Sequence, residues 1–174
     1  MKALLIVAQN GYQPKEYGVP KQILEEAGIE TVTASKEVGL CKSMGESTTE
    51  ATISINDINV SDYDAIIFVG GSGATTFQDD VEAHLTAQES INRNKILAAI
   101  CIAPTILAKA DVLEGKKATV WNEDNKQAEI LTKSGAEYIE QDVVVDGKII
   151  TANGPHAAEE FGKKILEMLK QLKN

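Results

Sequence analysis

KILAAICIAPTILAKAD, residues 95–111, joins an apolar run to a helix through a single cysteine. Ile96 to Ile100 has the length and composition of a strand buried on both faces. Pro104 suits the first turn of a helix, where its missing N–H costs nothing. Ile106, Leu107 and Ala110 then supply that helix with an apolar face. Cys101 falls at the corner, with Ala99 and Ala103 two residues to either side. Small neighbours are what a strand–turn–helix elbow needs if the chain is to fold back tightly around a nucleophile. At a helix N-terminus a thiolate would also meet unpaired N–H groups that lower its pKa. Cys101 is therefore read as a reactive thiolate; the competing reading is a small buried hydrophobe at a strand end.

Strands and helices alternate outward from this segment. Ala3–Ala8 (ALLIVA) is a continuous apolar strand of the parallel-sheet kind. Asn10, Gly11 and Pro14 break it, and a helix is expected from about Glu16 to Ala27, stopped by Gly28. Thr31–Ala34 is a shorter strand. Glu37–Asn56 is polar and alternating, which suggests a small antiparallel excursion. Asp64–Val69 is a buried strand ending in Gly70-Gly71-Ser72-Gly73, and Asp79 opens a helix running to Arg93. Beyond the elbow come a strand at Thr119–Trp121, a helix at Glu123–Ser134 and a hairpin at Val143–Thr151, turned by Asp146-Gly147. Pro155 starts a last helix with Ala158, Phe161, Ile165, Leu166 and Leu169 on one face. The class is α/β in one domain over residues 1–174: a mainly parallel sheet, helices on both faces, a small antiparallel hairpin.

Bulk properties narrow the function. Lys and Arg number 17 against 26 Asp and Glu, a net charge of −9, so a nucleic-acid partner bound through its phosphates is not expected. Arg93 is the only arginine, which removes most bidentate anion clamps. No run approaches the roughly twenty apolar residues of a membrane helix, and the N-terminal run lacks the form of a secretory leader. Cys41 and Cys101 fit neither a disulfide framework nor a metal-ligand spacing, and a reducing, cytoplasmic setting is expected. With two histidines as well, neither a metal nor a cofactor is expected.

In such sheets ligands gather at the carboxyl ends of the strands, which points to Asn10–Glu16, Gly70–Gly73 and Cys101. The Gly70-Gly71 turn lacks the spacing of a phosphate loop. The backbone N–H groups of Gly71 and Ile102 could instead face an oxyanion above Cys101; a plain turn needing positive φ is the other reading. Glu16 could be a helix-terminal charge, a general acid/base, or a protonated partner to the sulfur. Ionised it would raise the Cys101 pKa, protonated it would lower it, so the two would titrate as a pair. Trp121 could wall a pocket or fill the core. His84 reads as solvated, His156 after Pro155 as a turn or late site residue, and Cys41 as an unactivated loop thiol.

With these pieces in order, the chain resembles the DJ-1/PfpI (ThiJ/PfpI) superfamily over essentially its full length. The resemblance is carried by Glu16 four residues before Pro20, Val69-Gly70-Gly71, AAICIAPTILAKADVLEGKKAT and VVVDGKIITANGP. It implies a flavodoxin-like three-layer sandwich and a nucleophilic Cys101 partnered by Glu16. Backbone donors would lie around Gly70, Gly71 and Ile102, a pocket near Trp121, Pro155 and His156. A homodimer or larger homo-oligomer is implied as well. Members are described as glyoxalases, deglycases, peptidases, chaperones and oxidative-stress sensors, so the resemblance settles no single activity.

Two imidazoles usual in that family are absent: Ile102 stands directly after the cysteine and Trp121 about twenty residues on. Gln13 replaces a carboxylate common in the preceding loop. Proton transfer then falls to Glu16 or water, which suits a small hemithioacetal better than an amide. The expected function is a cysteine-dependent protein acting on small reactive carbonyls. Oxidation sensing at Cys101 is the alternative, and a cysteine peptidase or glutamine amidotransferase-like hydrolase the remote one.

Overall fold

The computed structural model describes residues 1–172. The chain opens with Lys2–Ile6 (β1), Asn10–Tyr12 (β2) and Pro14–Glu26 (α1). Glu30–Ser35 (β3), Gly39–Ser43 (β4), Thr48–Ala51 (β5) and Ile53–Ser54 (β6) follow. Ala65–Phe68 (β7), Val81–Asn92 (α2), Ile96–Ile100 (β8) and Pro104–Lys109 (α3) form the centre. The remainder is Lys117–Ala118 (β9), Gln127–Lys133 (α4), Glu137–Tyr138 (β10), Val143–Asp146 (β11), Ile149–Ala152 (β12) and Ala158–Gln171 (α5).

Seven strands form the main sheet in the order β11-β12-β8-β7-β1-β3-β6. All neighbours run parallel except β11 and β12, which form the hairpin expected around Asp146-Gly147. The apolar runs alternate between two cores, as a sheet covered on both faces requires. Leu4, Ile66 and Leu97 face one side with Ile106 and Leu131 of α3 and α4. Leu5, Ile67 and Ala98 face the other with Leu24 of α1 and Phe161 and Ile165 of α5. The helices α1 and α5 pack closely: a Cβ on Gly162 would stand 3.0 Å from Pro20 Cα. From β1 the chain steps outward to β3, whereas β7 and β8 lie on the opposite flank. The switch point, where ligands of such sheets bind, therefore lies at the carboxyl ends of β1 and β7, with β8 beside them. No helix among the described residues is long and apolar enough to cross a membrane.

Several expectations need correction. Thr119–Trp121 is not a strand; the strand is Lys117–Ala118. Beyond it the Thr119 N–H donates to Thr151 Oγ1 and the Trp121 N–H to the Cys101 carbonyl, so no ladder continues. The following helix begins at Gln127 rather than Glu123, because Asn125 sits at φ 58° and Asp124 Oδ1 takes the Lys126 amide. The helix expected from Asp79 starts at Val81, capped by Asp80, whose Oδ1 accepts from the Ala83 N–H. The expected antiparallel excursion is the β4–β5 pair. Cys41 lies within it as a fully buried core residue, not a loop thiol.

Candidate active site

Three chain segments converge at the switch point. The first follows β1, where Gln13 caps α1. Its Oε1 accepts from the Lys15 and Glu16 amides at 2.6 and 3.3 Å. Pro14 opens the helix at the position where its ring costs no hydrogen bond. Glu16 is thereby fixed in the first turn, fully buried. The Gln13 N–H donates to the Gly70 carbonyl at 3.0 Å and ties this segment to the next.

The second segment follows β7. A Cβ on Gly70 would lie 2.3 Å from Glu16 Oε2, 2.5 Å from Cys101 Cβ and 2.7 Å from the Ile100 carbonyl. Only glycine fits there. Gly71, at φ 108°, turns the chain into a 3₁₀ segment, Ser72–Phe77.

The third is the elbow. Cys101 sits at φ 64°, a left-handed conformation that costs a non-glycine residue roughly 1–2 kcal/mol. Backbone contacts on both sides hold it: the Cys101 N–H donates to the Ala152 carbonyl, and the Trp121 N–H to the Cys101 carbonyl, each at 2.8 Å. Thr105 Oγ1 donates to the Ile102 carbonyl at 2.7 Å and accepts from Gln78 Nε2 at 2.7 Å, which pins the start of α3. Backbone strain held by surrounding structure is a feature of functional sites.

The electrostatics correct one expectation. Cys101 is not lowered by the following helix. Burial pushes its thiol up to about 12, and the Glu16 charge adds to that, while the Gly71 and Ile102 amides pull it down. Burial also raises Glu16 to about 7, opposed by the Cys101 thiol and the Gly70 amide. Among the described residues neither Glu16 oxygen has a hydrogen-bond partner of good geometry. The two groups act as one buried pair. It sheds a first proton near pH 7 and resists losing a second, so above that pH one negative charge and one proton serve both groups.

The pair opens into a cavity of about 420 Å³ lined by Met44, Ile102, Trp121 and Pro155 around Cys101. Trp121 and Pro155 therefore reach the site, and Gly71 and Ile102 direct their amides at the sulfur. His156 does not line this cavity. It lines a neighbouring one, and its Nε2 faces Asp142 Oδ1 at 3.1 Å. His84, expected in solvent, is half-buried, with Nε2 2.7 Å from the Gln78 carbonyl. Met44 and the Gln78–Thr105 link have no signal in the sequence. The capping role of Gln13 has no such signal either, since glutamine is not among the residues favoured at a helix N-cap.

An α/β sheet with a cysteine elbow and a buried carboxyl partner at its switch point defines a class of cysteine-centred proteins. The chain matches the DJ-1/PfpI family over residues 1–168 and belongs to it. An uncharacterized protein of Methanocaldococcus jannaschii is 34% identical, covering 98% of this chain and 83% of its own. YraA of Bacillus subtilis, whose name proposes a cysteine protease, is 29% identical over 97% of this chain and 99% of its own. The crystal structure of a ThiJ/PfpI domain protein from Brachyspira murdochii superposes with a TM-score of 0.93 at 28% identity, covering 98% of this chain and 96% of that one.

Proposed function

We propose that the protein is a cysteine-dependent enzyme that converts small reactive carbonyls, with methylglyoxal as the simplest substrate. The observation that carries this reading is the contact between Glu16 and Cys101 at the cavity floor, with the Gly71 and Ile102 amides aimed at the sulfur. As the sulfur adds to the aldehyde carbon, its proton passes by way of Glu16 to the new oxyanion, which those amides hold, and Glu16 is left ionised. Glu16, raised to about 7, is suited to move protons at neutral pH. It takes the C–H proton of the hemithioacetal and returns it to the adjacent ketone carbon, leaving a lactoyl thioester on Cys101. Water cleaves the thioester, releasing lactate and the thiol, so the sequence needs no external oxidant or reductant. Lactate formation lost in Cys101→Ser and Glu16→Gln supports the reading; no turnover above a thiol-containing buffer removes it.

One observation favours a second reading, oxidation sensing. Neither histidine lines the Cys101 cavity, so no imidazole assists turnover there. The same amides could hold a sulfenate formed when peroxide transfers one oxygen to the sulfur and leaves as water. Mass spectrometry after graded peroxide tests it: Cys101 must gain oxygen before Met44. A peptidase, the activity the YraA name proposes, would need a proton donor for a leaving amine, for which the cavity offers only Glu16. Assembly into a homodimer belongs to the same proposal. Val38, Leu40 and Met44, on and around β4, are exposed apolar residues such a contact would cover, and sedimentation velocity reads the state directly.

A further inference from the structure

The chamber above Cys101 holds about 420 Å³. An apolar cavity of about 150 Å³ suffices for a benzene ring, whereas methylglyoxal displaces only a few waters at about 30 Å³ each. With methylglyoxal seated on Cys101, most of the chamber would stay filled with water.

The surface that this water would touch is overwhelmingly apolar. Glu16 and Cys101 lie at the floor, where the chemistry is placed. Gln13 Oε1 is spent on capping α1, and Thr75 Oγ1 donates to the Ser72 carbonyl at 2.9 Å. The walls are the Ile102 side chain, the Trp121 indole, the Pro155 ring and the Met44 thioether. Replacing water against such walls with an apolar group is favourable in proportion to the area covered.

Backbone contacts fix two of these walls. The Trp121 N–H donates to the Cys101 carbonyl at 2.8 Å, which hangs the indole beside the elbow. The Met44 N–H donates to the Tyr12 carbonyl at 2.8 Å, and Met44 Sδ accepts from the Ser72 N–H at 3.4 Å. Met44 is thereby tied both to β2 and to the turn after β7. A thioether and an indole each pack favourably against an aromatic ring.

We infer that the substrate carries a bulky apolar group, the size of a phenyl ring, on the ketone carbon beside the reacting aldehyde, and that Met44 and Trp121 select it. This deepens the proposed function and rests on its reading of Cys101 as the carbonyl-attacking residue.

Labelling of Cys101 by chloroacetone and by phenacyl chloride tests this without turnover. In each reaction the sulfur bonds to the methylene carbon as the C–Cl bond breaks; chloride leaves and the thiol proton goes to the buffer. The reagents differ only in methyl against phenyl on the ketone, and at one pH they meet the same thiolate. Mass spectrometry follows the adduct at Cys101, and dividing each rate by that of N-acetylcysteine removes the reagents' own reactivity. The normalised phenacyl rate exceeds the chloroacetone rate at least about tenfold. Met44→Gln, at an exposed side chain, and Trp121→Ala each lower that ratio, whereas a purely structural loss slows both reagents alike. A smaller ratio, or one that either substitution leaves intact, overturns the proposal. A protein that keeps the ratio but converts neither methylglyoxal nor phenylglyoxal removes the proposed activity alone. One that converts methylglyoxal without the ratio removes this inference alone.

Discussion

Glu16 and Cys101 both crowd the position where Gly70 lacks a side chain: a Cβ there would meet Glu16 Oε2 at 2.3 Å and Cys101 Cβ at 2.5 Å. Gly70→Ala must push one of them away, and the Ile100 carbonyl at 2.7 Å blocks the third side. The expected cost is about 1–3 kcal/mol of stability, the range for overpacked sites, together with loss of Cys101 alkylation. Urea unfolding and iodoacetamide kinetics on the same variant check both.

The elbow stores strain at Cys101, held at φ 64°. Cys101→Gly relieves it and Cys101→Ala does not, although both remove the sulfur. The glycine variant is expected to be about 1 kcal/mol more stable than the alanine variant. Alanine equal to or more stable than glycine would mean that the turn carries no strain.

Thr105 bridges Gln78 and the Ile102 carbonyl with two hydrogen bonds of 2.7 Å. Thr105→Val keeps the volume and breaks both, leaving a half-buried carbonyl and amide unpaired; about 1 kcal/mol is lost. Alkylation of Cys101 slows as the Ile102 amide drifts off the sulfur, and Thr105→Ser restores most of the rate. A rate unchanged in Thr105→Val would separate this link from the site.

Much of this was legible in the sequence. The strand Ile96–Ile100 and the helix start at Pro104 stand where the residues place them, because a continuous apolar run and an N-terminal proline are local signals. Val143–Asp146 and Ile149–Ala152 pair around Asp146-Gly147 for the same reason. The segment after the elbow was misread because its backbone partners are remote: Thr119 and Trp121 bond to Thr151 and Cys101, which no local pattern reveals. The site residues were found, but not the sign of the field on Cys101. Proximity to a helix start suggested a lowered pKa, whereas burial beside Glu16 outweighs a six-residue helix. His156 was drawn to the cavity by its place in the chain, yet Asp142 holds it outside.

Burial of Glu16 also sets a pH dependence of stability. Its pKa is raised from 4.5 to about 7 on folding. The folded state therefore holds a proton that the unfolded chain releases, and stability falls as pH rises across that interval. The full change is on the order of 3 kcal/mol, using about 1.4 kcal/mol per unit. Glu16→Gln removes this contribution, so the melting temperature of the wild type falls between pH 4.5 and 7 more steeply than that of the variant. Parallel curves would place the Glu16 carboxyl in a far more solvated setting.

The pH dependence of Cys101 alkylation, compared between the wild type and Glu16→Gln, tests the central claim most directly. Above about pH 7 the ionised Glu16 adds its charge to burial against the Cys101 thiolate, so wild-type alkylation stays slow through neutral pH and rises only toward about pH 12. In Glu16→Gln that charge is gone and burial acts alone, so the midpoint falls below the wild-type one while staying above the free-cysteine value of about 8.5. A single midpoint near that value in both proteins would show a solvated, independent thiol and contradict the account.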